Sequence, residues 1–102
     1  MSELIRPSLY NTYHHIELAQ PCDGQIKRYD VVGPVCESAD FLGKDRNINT
    51  PKADDILVVY DAGAYCHSMS SMYNMKLTCA EYMVEGNNVT MIRKPLSLDD
   101  YL

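Results

Sequence analysis

The chain has 102 residues and a net charge of −5 at pH 7, with 46% apolar and 23% charged residues. This length allows one domain with a modest core, and the composition is ordinary for a soluble globular protein. The acidic balance, without a basic stripe, argues against nucleic acids and anionic membranes as partners. Eight tyrosines and no tryptophan predict that several phenolic hydroxyls face a site or an interface.

No targeting signal is visible in the sequence. The start, Met1–Leu4, lacks the basic and apolar regions of a signal peptide. The longest apolar run, Ile56–Tyr60, is far too short to span a bilayer. Widely spaced cysteines fit free thiols in a reducing compartment better than a disulfide frame, so we expect a cytoplasmic protein. These cysteines are Cys22, Cys36, Cys66 and Cys79.

Residues 4–20 predict a short helical turn followed by a strand. Pro7 suits the first turn of a helix and would damage a central strand. From Tyr13 onward, polar and apolar residues alternate as they do in a half-buried strand. The turn signal Pro21–Gly24 then leads into Gln25–Val32, which we expect to be the partner strand of the first.

The stretch Asp30–Asp40 is the first candidate site. An apolar strand end runs into the turn at Gly33 and Pro34, and the thiol of Cys36 and the carboxylate of Glu37 follow directly. Because a neighbouring carboxylate disfavours a thiolate, Cys36 would be a poor nucleophile but a reasonable carrier of a proton. On residue chemistry alone, a small buried cysteine at a strand end is the commoner arrangement.

Residues 38–53 are polar and rich in turn formers, so they predict a long loop. Such a loop in a small domain is often functional. Ile56–Tyr60 is the clearest strand in the chain, and we expect it to be central because both of its faces are apolar. It ends in the small residues of Asp61–Ala64, which place Tyr65 at the mouth of the strand.

Residues 66–75 lack clear periodicity and predict a loop or a single helical turn. A hairpin of two strands, 76–85 and 89–93, follows, and Pro95 ends the second strand. Ser97 is the predicted N-cap of a short helix with acidic residues in its first turn.

Together these elements predict one mainly β domain, 1–102, with antiparallel pairs and two or three short helical turns. A sandwich or a partly closed barrel would bury one face of each strand.

The histidines are weak candidates for metal binding or catalysis. No Cys-x-x-Cys or His-x-x-x-His spacing is present, and the adjacent residues His14 and His15 face opposite sides of a strand. Cys66 and His67 are sequence neighbours, which rarely face each other in a strand or loop, so a catalytic Cys–His pair is equally weak.

Arg6 and Tyr10 lie four residues apart and would share one face of a helical turn. A guanidinium and a phenol together can clamp a carboxylate. A surface arginine stacked on a tyrosine is an equally good interpretation of the pair. The same holds for Tyr65 taken alone.

Five motifs follow one another along nearly the whole chain, and in this order and spacing they resemble the diaminopimelate decarboxylases, a family of fold-type III pyridoxal-phosphate enzymes. The motifs are Arg6-Pro-Ser-Leu-Tyr10, Tyr13-His14, Gly33-Pro-Val-Cys-Glu-Ser-Ala-Asp-Phe-Leu-Gly43, Asp61-Ala-Gly-Ala-Tyr65 and Ser68-Met-Ser-Ser-Met-Tyr-Asn74. The resemblance is to the carboxy-terminal part only. It implies the β-barrel or sandwich domain of the alanine racemase and ornithine decarboxylase-like decarboxylases.

The resemblance also implies a partner that these 102 residues do not contain. In the family, an amino-terminal α/β barrel holds the cofactor through a Schiff-base lysine, and Lys44 and Lys52 do not match that lysine. The implied partners are therefore this barrel domain and a second copy in a homodimer. By itself the chain is expected to be inactive as a decarboxylase.

Roles for five residues follow from the resemblance. Arg6 and Tyr10 match positions that bind the distal end of the substrate, and Glu37 matches the group that holds its distal ammonium. Cys36 matches the proton donor, which reaches into the active site of the other subunit. Tyr65 matches the residue that contacts both the cofactor phosphate and the substrate. These roles imply decarboxylation of meso-2,6-diaminopimelate to L-lysine with pyridoxal 5'-phosphate.

Glu37 and the arginine motif favour diaminopimelate over ornithine or arginine as substrate, because the related diamine-forming enzymes more often have Asp at this position and lack the arginine. Ala39 and Cys66 stand where the family usually has Gly, and a left-handed backbone at either would cost about 1 kcal/mol or more. A plastid location is implied if the source is a plant or an alga. The alternative is a non-catalytic homologue or free-standing domain that acts in protein association.

Overall fold

The structure is a computed structural model that describes residues 1–20 and 24–102, so most of the predicted turn Pro21–Gly24 lies outside the described residues. Two short 3₁₀ turns, His67–Met69 and Tyr73–Met75, lie in the second half of the chain. Within the described residues no helix has the length and apolar character needed to cross a membrane. The helices and strands are α1 (Arg6–Tyr10), β1 (Ile16–Leu18), β2 (Ile26–Val32), β3 (Phe41–Asn49), β4 (Leu57–Val59), β5 (Glu81–Glu85), β6 (Asn88–Arg93) and α2 (Leu98–Tyr101).

Helix α1 confirms the predicted helical turn. Pro7 lies in its first turn and is buried, where its missing N–H costs nothing. Asn11 ends the helix in the left-handed conformation (φ 54°), and its backbone N–H donates to the carbonyl of Arg6. Asn is one of the few residues that adopt this conformation readily.

The expected mainly β class is confirmed, but the predicted pairing of the first two strands is wrong. Strand β1 pairs antiparallel with β4, with Ile16 opposite Val59, whereas β2 pairs antiparallel with β3. The described strands form three two-stranded ladders, the third being β5 with β6. A strand takes the partner whose packing suits its apolar face, and sequence proximity alone does not fix that choice.

Strand β3 replaces most of the loop predicted for residues 38–53. Its backbone groups pair with β2 along nearly its whole length, which is the reason a polar sequence can stay extended. Its buried residues are Gly43 and Ile48, while Lys44 and Asp45 are exposed. The sequence concealed this strand because a register shift in the β2–β3 ladder interrupts the simple alternation of inside and outside residues.

The strand predicted at Ile56–Tyr60 exists but is shorter and not central. Strand β4 covers three residues, is half-buried along its length, and pairs only with β1 among the described strands. The strand predicted over 76–85 is likewise shorter, since β5 begins at Glu81.

A close approach of β3 to β1 forms the core. A Cβ atom added to Gly43 would lie 2.9 Å from the guanidinium carbon of Arg46 and 3.0 Å from Cδ1 of Ile16, so these side chains would have to move. The guanidinium of Arg46 donates to the backbone carbonyl of His14 and lies 4.0 Å from the ring centre of Tyr13. Arg46 thus links β3 to the segment that leads into β1.

The β5–β6 hairpin has the predicted turn, with Glu85 opposite Asn88 and a positive φ of 59° at Gly86. Among the described residues it packs against no other helix or strand. An isolated two-stranded hairpin is marginally stable in water, and the apolar side chains of this one are uncovered by the described helices and strands. Its exposed apolar side chains are Tyr82, Met83, Val84, Val89, Met91 and Ile92.

Helix α2 confirms the predicted cap. The side chain of Ser97 accepts from the backbone N–H of Asp100, and the carboxylate of Asp100 accepts from the backbone N–H of Ser97. This reciprocal arrangement satisfies two backbone donors at the start of the helix.

The β2–β3 ladder offers a matched test of the core. Ile48 on β3 is 4% exposed, whereas Ile26 on β2 is 67% exposed. Ile48→Ala should lower the free energy of unfolding by about 2–4 kcal/mol because it leaves a cavity, and Ile26→Ala should lower it by less than about 1 kcal/mol. Urea unfolding followed by circular dichroism measures both. Equal losses of unfolding free energy in the two variants would contradict the placement of Ile48 in the core.

Candidate functional site

The stretch singled out in the sequence forms the tip of the β2–β3 hairpin. We call residues 33–40 the Cys36 loop. Val32 and Phe41, on either side of this loop, form the last pair of the β2–β3 ladder. The backbone N–H of Gly33 donates to the carbonyl of Asp40 at 2.9 Å, and that of Asp40 donates to the carbonyl of Glu37 at 3.0 Å. The loop is therefore closed by its own backbone at both ends.

Cys36 is exposed at the outer side of this loop as a free thiol. The interpretation of Cys36 as a small buried cysteine is therefore wrong. A thiol so placed can contact a group on a neighbouring molecule or domain, which a buried side chain could not do.

Glu37 is half-buried and both of its carboxylate oxygens have partners. Oε1 accepts from the backbone N–H of Ala39 at 3.2 Å and from the hydroxyl of Ser38 at 3.5 Å, which holds it against its own loop. Oε2 accepts from the hydroxyl of Tyr73 at 3.4 Å. Sequence reasoning did not single out Tyr73, although it lies in the last of the five motifs.

The structure brings Arg6 and Tyr65 together. The guanidinium carbon of Arg6 lies 5.8 Å from the ring centre of Tyr65, within the range of a cation–π contact. Among the described residues, Arg6 forms no ion pair with a carboxylate. Its positive charge therefore remains available to an anionic group.

Tyr65 is 62% exposed and has a positive φ of 62°. A bulky residue in the left-handed region is strained by about 1–2 kcal/mol, and such strain is concentrated at functional sites. In the described part of the chain, its hydroxyl makes no hydrogen bond. The ring is thus held at the surface with its polar end free.

Tyr10 shares helix α1 with Arg6 as predicted, four residues along the same face. It is exposed, and no described contact joins it to Arg6, Cys36, Glu37 or Tyr65. The segment that carries Tyr65 and Tyr73 lies against both α1 and the Cys36 loop. This segment therefore contacts both Arg6 and Glu37.

The two positions where the resemblance expects Gly do not adopt the left-handed backbone. Cys66 has a φ of −73°, and Ala39 is not among the residues with positive φ. The expected cost at these positions is therefore absent. Positive φ is found instead at Tyr65, directly before Cys66.

Two thiols outside the Cys36 loop meet at Glu3. The thiol of Cys66 donates to the backbone carbonyl of Glu3 at 2.7 Å, and that of Cys79 donates to its carboxylate at 3.3 Å. Burial and the charge of Glu3 raise the pKa of Cys66. Burial and the hydrogen bond to Glu3 raise the pKa of Cys79. Both thiols are therefore stabilised in the protonated form.

His14 and His15 face opposite sides, as predicted. His14 is 2% exposed and its Nδ1 lies 2.9 Å from the carbonyl of Tyr60, whereas His15 is exposed with its Nε2 3.1 Å from Glu17. Across residues 1–20 and 24–102, no three His, Cys, Asp or Glu side chains form a group that could hold a metal ion.

Arg6 and Tyr65 form a described pair that suits anionic groups. A phenol that is free to donate, next to an unpaired guanidinium, matches the requirements of a phosphate or a carboxylate. The pair lies on an open surface, so further contacts would have to come from another domain or chain. The free phenol of Tyr65 therefore fits a phosphate such as that of pyridoxal 5'-phosphate, and the guanidinium of Arg6 fits a carboxylate.

Comparison with known families matches residues 1–63 to the pyridoxal-dependent decarboxylase, C-terminal sheet domain. A probable chloroplastic diaminopimelate decarboxylase of Oryza sativa subsp. japonica is 58% identical over 100% of this chain and 21% of its own length. A diaminopimelate decarboxylase of Zymomonas mobilis is 43% identical over 100% of this chain and 24% of its own length. The chain thus spans between a fifth and a quarter of these curated relatives.

Solved structures agree with these matches. The crystal structure of AQ1208 from Aquifex aeolicus superimposes with a TM-score of 0.94 at 45% identity, over 97% of this chain and 25% of that one. Diaminopimelate decarboxylase from Helicobacter pylori, complexed with L-lysine, gives a TM-score of 0.90 at 38% identity, over 98% of this chain and 25% of that one. The fold of the chain is therefore that of one part of larger proteins.

The pair of thiols at Glu3 gives a pH-dependent prediction. Glu3→Gln removes the negative charge that favours the protonated thiols, so the pKa values of Cys66 and Cys79 should fall and alkylation should begin at lower pH. The shift should be larger for Cys79, whose thiol bonds directly to the carboxylate. Iodoacetamide labelling across a pH series, with each cysteine quantified by mass spectrometry, measures this.

Glu85→Gln is the matched control, since Glu85 is an exposed acid in the β5–β6 turn. The labelling of Cys36 in the same samples gives an internal reference for reagent and unfolding effects. Labelling profiles of Cys66 and Cys79 that do not change in Glu3→Gln would contradict the assigned role of Glu3.

Proposed function

Because this chain belongs to the pyridoxal-dependent decarboxylases through their C-terminal sheet domain, we propose that it forms the sheet-domain part of an enzyme that decarboxylates meso-2,6-diaminopimelate to L-lysine. Two contacts carry the proposal. The guanidinium of Arg6 lies over the ring of Tyr65, and the carboxylate of Glu37 accepts a hydrogen bond from Tyr73. The names of the rice and Zymomonas relatives support the choice of substrate.

Pyridoxal 5'-phosphate is the proposed cofactor, held mainly by a barrel domain outside these residues. When bound, it supplies a conjugated ring that accepts the negative charge left as carbon dioxide departs. Tyr65 is the residue of this chain that we assign to its phosphate and to the substrate, because its strained backbone holds an exposed phenol whose hydroxyl makes no hydrogen bond within residues 1–20 and 24–102.

Three side chains are assigned to the distal end of the substrate. The guanidinium of Arg6, without a carboxylate partner in the described residues, suits the distal carboxylate. Tyr10 can add a phenolic donor from the same helix face, and the carboxylate of Glu37 suits the distal ammonium. The hydrogen bonds of Glu37 to Ala39 and Tyr73 would fix its orientation before the substrate arrives.

Cys36 is the proposed proton donor. Its exposed thiol would give its proton to the carbon from which carbon dioxide has left and become a thiolate, which solvent then reprotonates. The proposed role is that of a positioned general acid and not of a nucleophile. The exposed position also fits action in the active site of a second subunit.

The proposed partners are an N-terminal barrel domain and a second copy of the protein. The exposed apolar side chains of the β5–β6 hairpin support a covering partner, because a two-stranded hairpin is only marginally stable by itself and large exposed apolar patches mark interaction sites. In this proposal residues 1–102 act as a single domain that is inactive by itself. We place the enzyme in the cytoplasm, or in the plastid of a plant or alga, as is stated for the rice relative.

A non-catalytic role in protein association is the second candidate. The observation that favours it is the same uncovered hairpin, which any protein partner could cover. An association domain has no chemical need for Arg6, Cys36, Glu37 and Tyr65 together. Activity in a complete enzyme therefore separates the two functions.

A chimera tests the catalytic proposal most directly. In the rice relative, this chain would replace the segment that it matches at 58% identity, and carbon dioxide release from diaminopimelate would be measured. Cys36→Ala should lower kcat by about 100-fold or more, the usual contribution of a positioned acid. Cys79→Ser, which changes another exposed thiol, should leave kcat unchanged. A folded, cofactor-loaded chimera without activity would favour the association role.

The substrate assignment is tested in the same chimera. Arg6→Ala should raise KM for diaminopimelate roughly tenfold to 100-fold, the effect of losing a hydrogen-bonded charge pair. The change in kcat should be small, because the distal carboxylate is bound equally before and during the reaction. Arg28→Ala removes an exposed arginine that pairs with Asp45 at 3.6 Å and is the control. An unchanged KM in Arg6→Ala would refute the assignment.

A further inference from the structure

Asp40 is a buried acid for which the proposed reaction has no use. It is 3% exposed and lies at the last position of the Cys36 loop, directly before β3. A buried carboxylate is costly unless it is paired and hydrogen-bonded. Its partners therefore indicate what this position does for the loop.

The carboxylate of Asp40 reaches back across the loop to its first half. Oδ2 accepts from the backbone N–H of Val35 at 3.0 Å, and Oδ1 accepts from the terminal ammonium of Met1. Its own backbone carbonyl accepts from the N–H of Gly33 at 2.9 Å. One residue thus binds Gly33 and Val35, on either side of Pro34.

Gly33 is the position that makes this contact possible. A Cβ atom added there would lie 2.2–2.4 Å from the carboxyl atoms of Asp40, closer than any real Cβ contact. A side chain at Gly33 and the carboxylate of Asp40 therefore cannot occupy the loop together. Gly63, by contrast, has open space where its Cβ would be.

The charge of Asp40 is compensated locally. Burial raises the pKa of Asp40, whereas the hydrogen bond from the backbone N–H of Val35 and the positive charge of Lys76 lower it. An ionised acceptor makes the stronger type of hydrogen bond to a backbone N–H.

We propose that Asp40 is a positioning residue, which clasps the backbone at Gly33 and Val35 and thereby fixes where Cys36 and Glu37 project. Cys36 follows Val35 directly, so a bond that restrains the Val35 backbone restricts the positions open to Cys36. The carbonyl of Glu37 accepts from the N–H of Asp40 at 3.0 Å, which extends the same constraint to Glu37. The consequence for catalysis rests on the proposed function, whereas the clasp itself does not.

The clasp is tested in the 102-residue chain by amide hydrogen exchange, followed by NMR. Asp40→Ala should speed exchange of the Val35 amide roughly tenfold or more, the factor expected when a hydrogen bond to a charged acceptor is lost. Asp40→Asn keeps a neutral oxygen and should give a smaller increase. The Tyr60 amide, which donates to the carbonyl of His15 at 2.8 Å, reports that β1 and β4 remain folded.

Unchanged Val35 exchange in a folded Asp40→Ala chain would overturn the proposal. If that variant does not fold, Asp40→Asn carries the test, and an unchanged Val35 rate there overturns it. Gly33→Ala adds a Cβ that displaces the carboxylate of Asp40 while Asp40 itself stays unchanged, so it should also speed exchange of the Val35 amide. Gly63→Ala is the matched control and should not.

A separate measurement in the rice chimera connects the clasp to Cys36. Asp40→Ala should lower kcat, but it should lower it no further once Cys36→Ala is present, because Asp40 would act through Cys36. Equal losses in both backgrounds would mean a general structural role and would overturn positioning. An inactive parent chimera would count against the proposed function, while the exchange result would still decide the clasp.

Discussion

The described structure depends on a buried carboxylate at the junction of β2 and β3. Asp40 is surrounded by backbone, with Gly33 in contact on one side and the N–H of Val35 on another. Burying this charge is acceptable only because donors meet it. In return, the connection between the two strands has one defined path, and the exposed thiol of Cys36 lies on that path. Strand β3 begins directly after it, so the same junction sets where the longest ladder starts.

The second constraint is the close approach of side chains to the backbone, which glycine permits at two positions. Gly33 admits the carboxylate of Asp40, and Gly43 admits Ile16 of β1. The first contact closes the loop between β2 and β3, whereas the second joins β3 to β1, which is distant in the sequence. Beyond this small core of Leu4, Ile16 and Ile48, large apolar side chains remain exposed. Such a surface is what we expect of one part of a larger assembly.

The candidate residues come from three separate stretches, and a single segment connects them. Tyr65 lies against Arg6 of α1, and Tyr73 donates to Glu37 of the Cys36 loop. Because Tyr65 is held in a strained backbone conformation, its phenol is placed before any ligand binds. A guanidinium and a phenol are thus paired at one place, and a carboxylate is oriented by a second phenol at another.

The sequence by itself determined the features that depend on near neighbours. Pro7 and Asn11 bound α1, Gly86 makes the hairpin turn and Ser97 caps α2, because each is a matter of local backbone preference. The motifs also identified the family and its candidate residues. Only the tertiary structure decided that β2 pairs with β3, that a polar stretch becomes a strand, and that Tyr73 and Asp40 support Glu37 and the Cys36 loop. Those outcomes depend on which partner satisfies a backbone group or a buried charge, and local propensity carries no information about that choice.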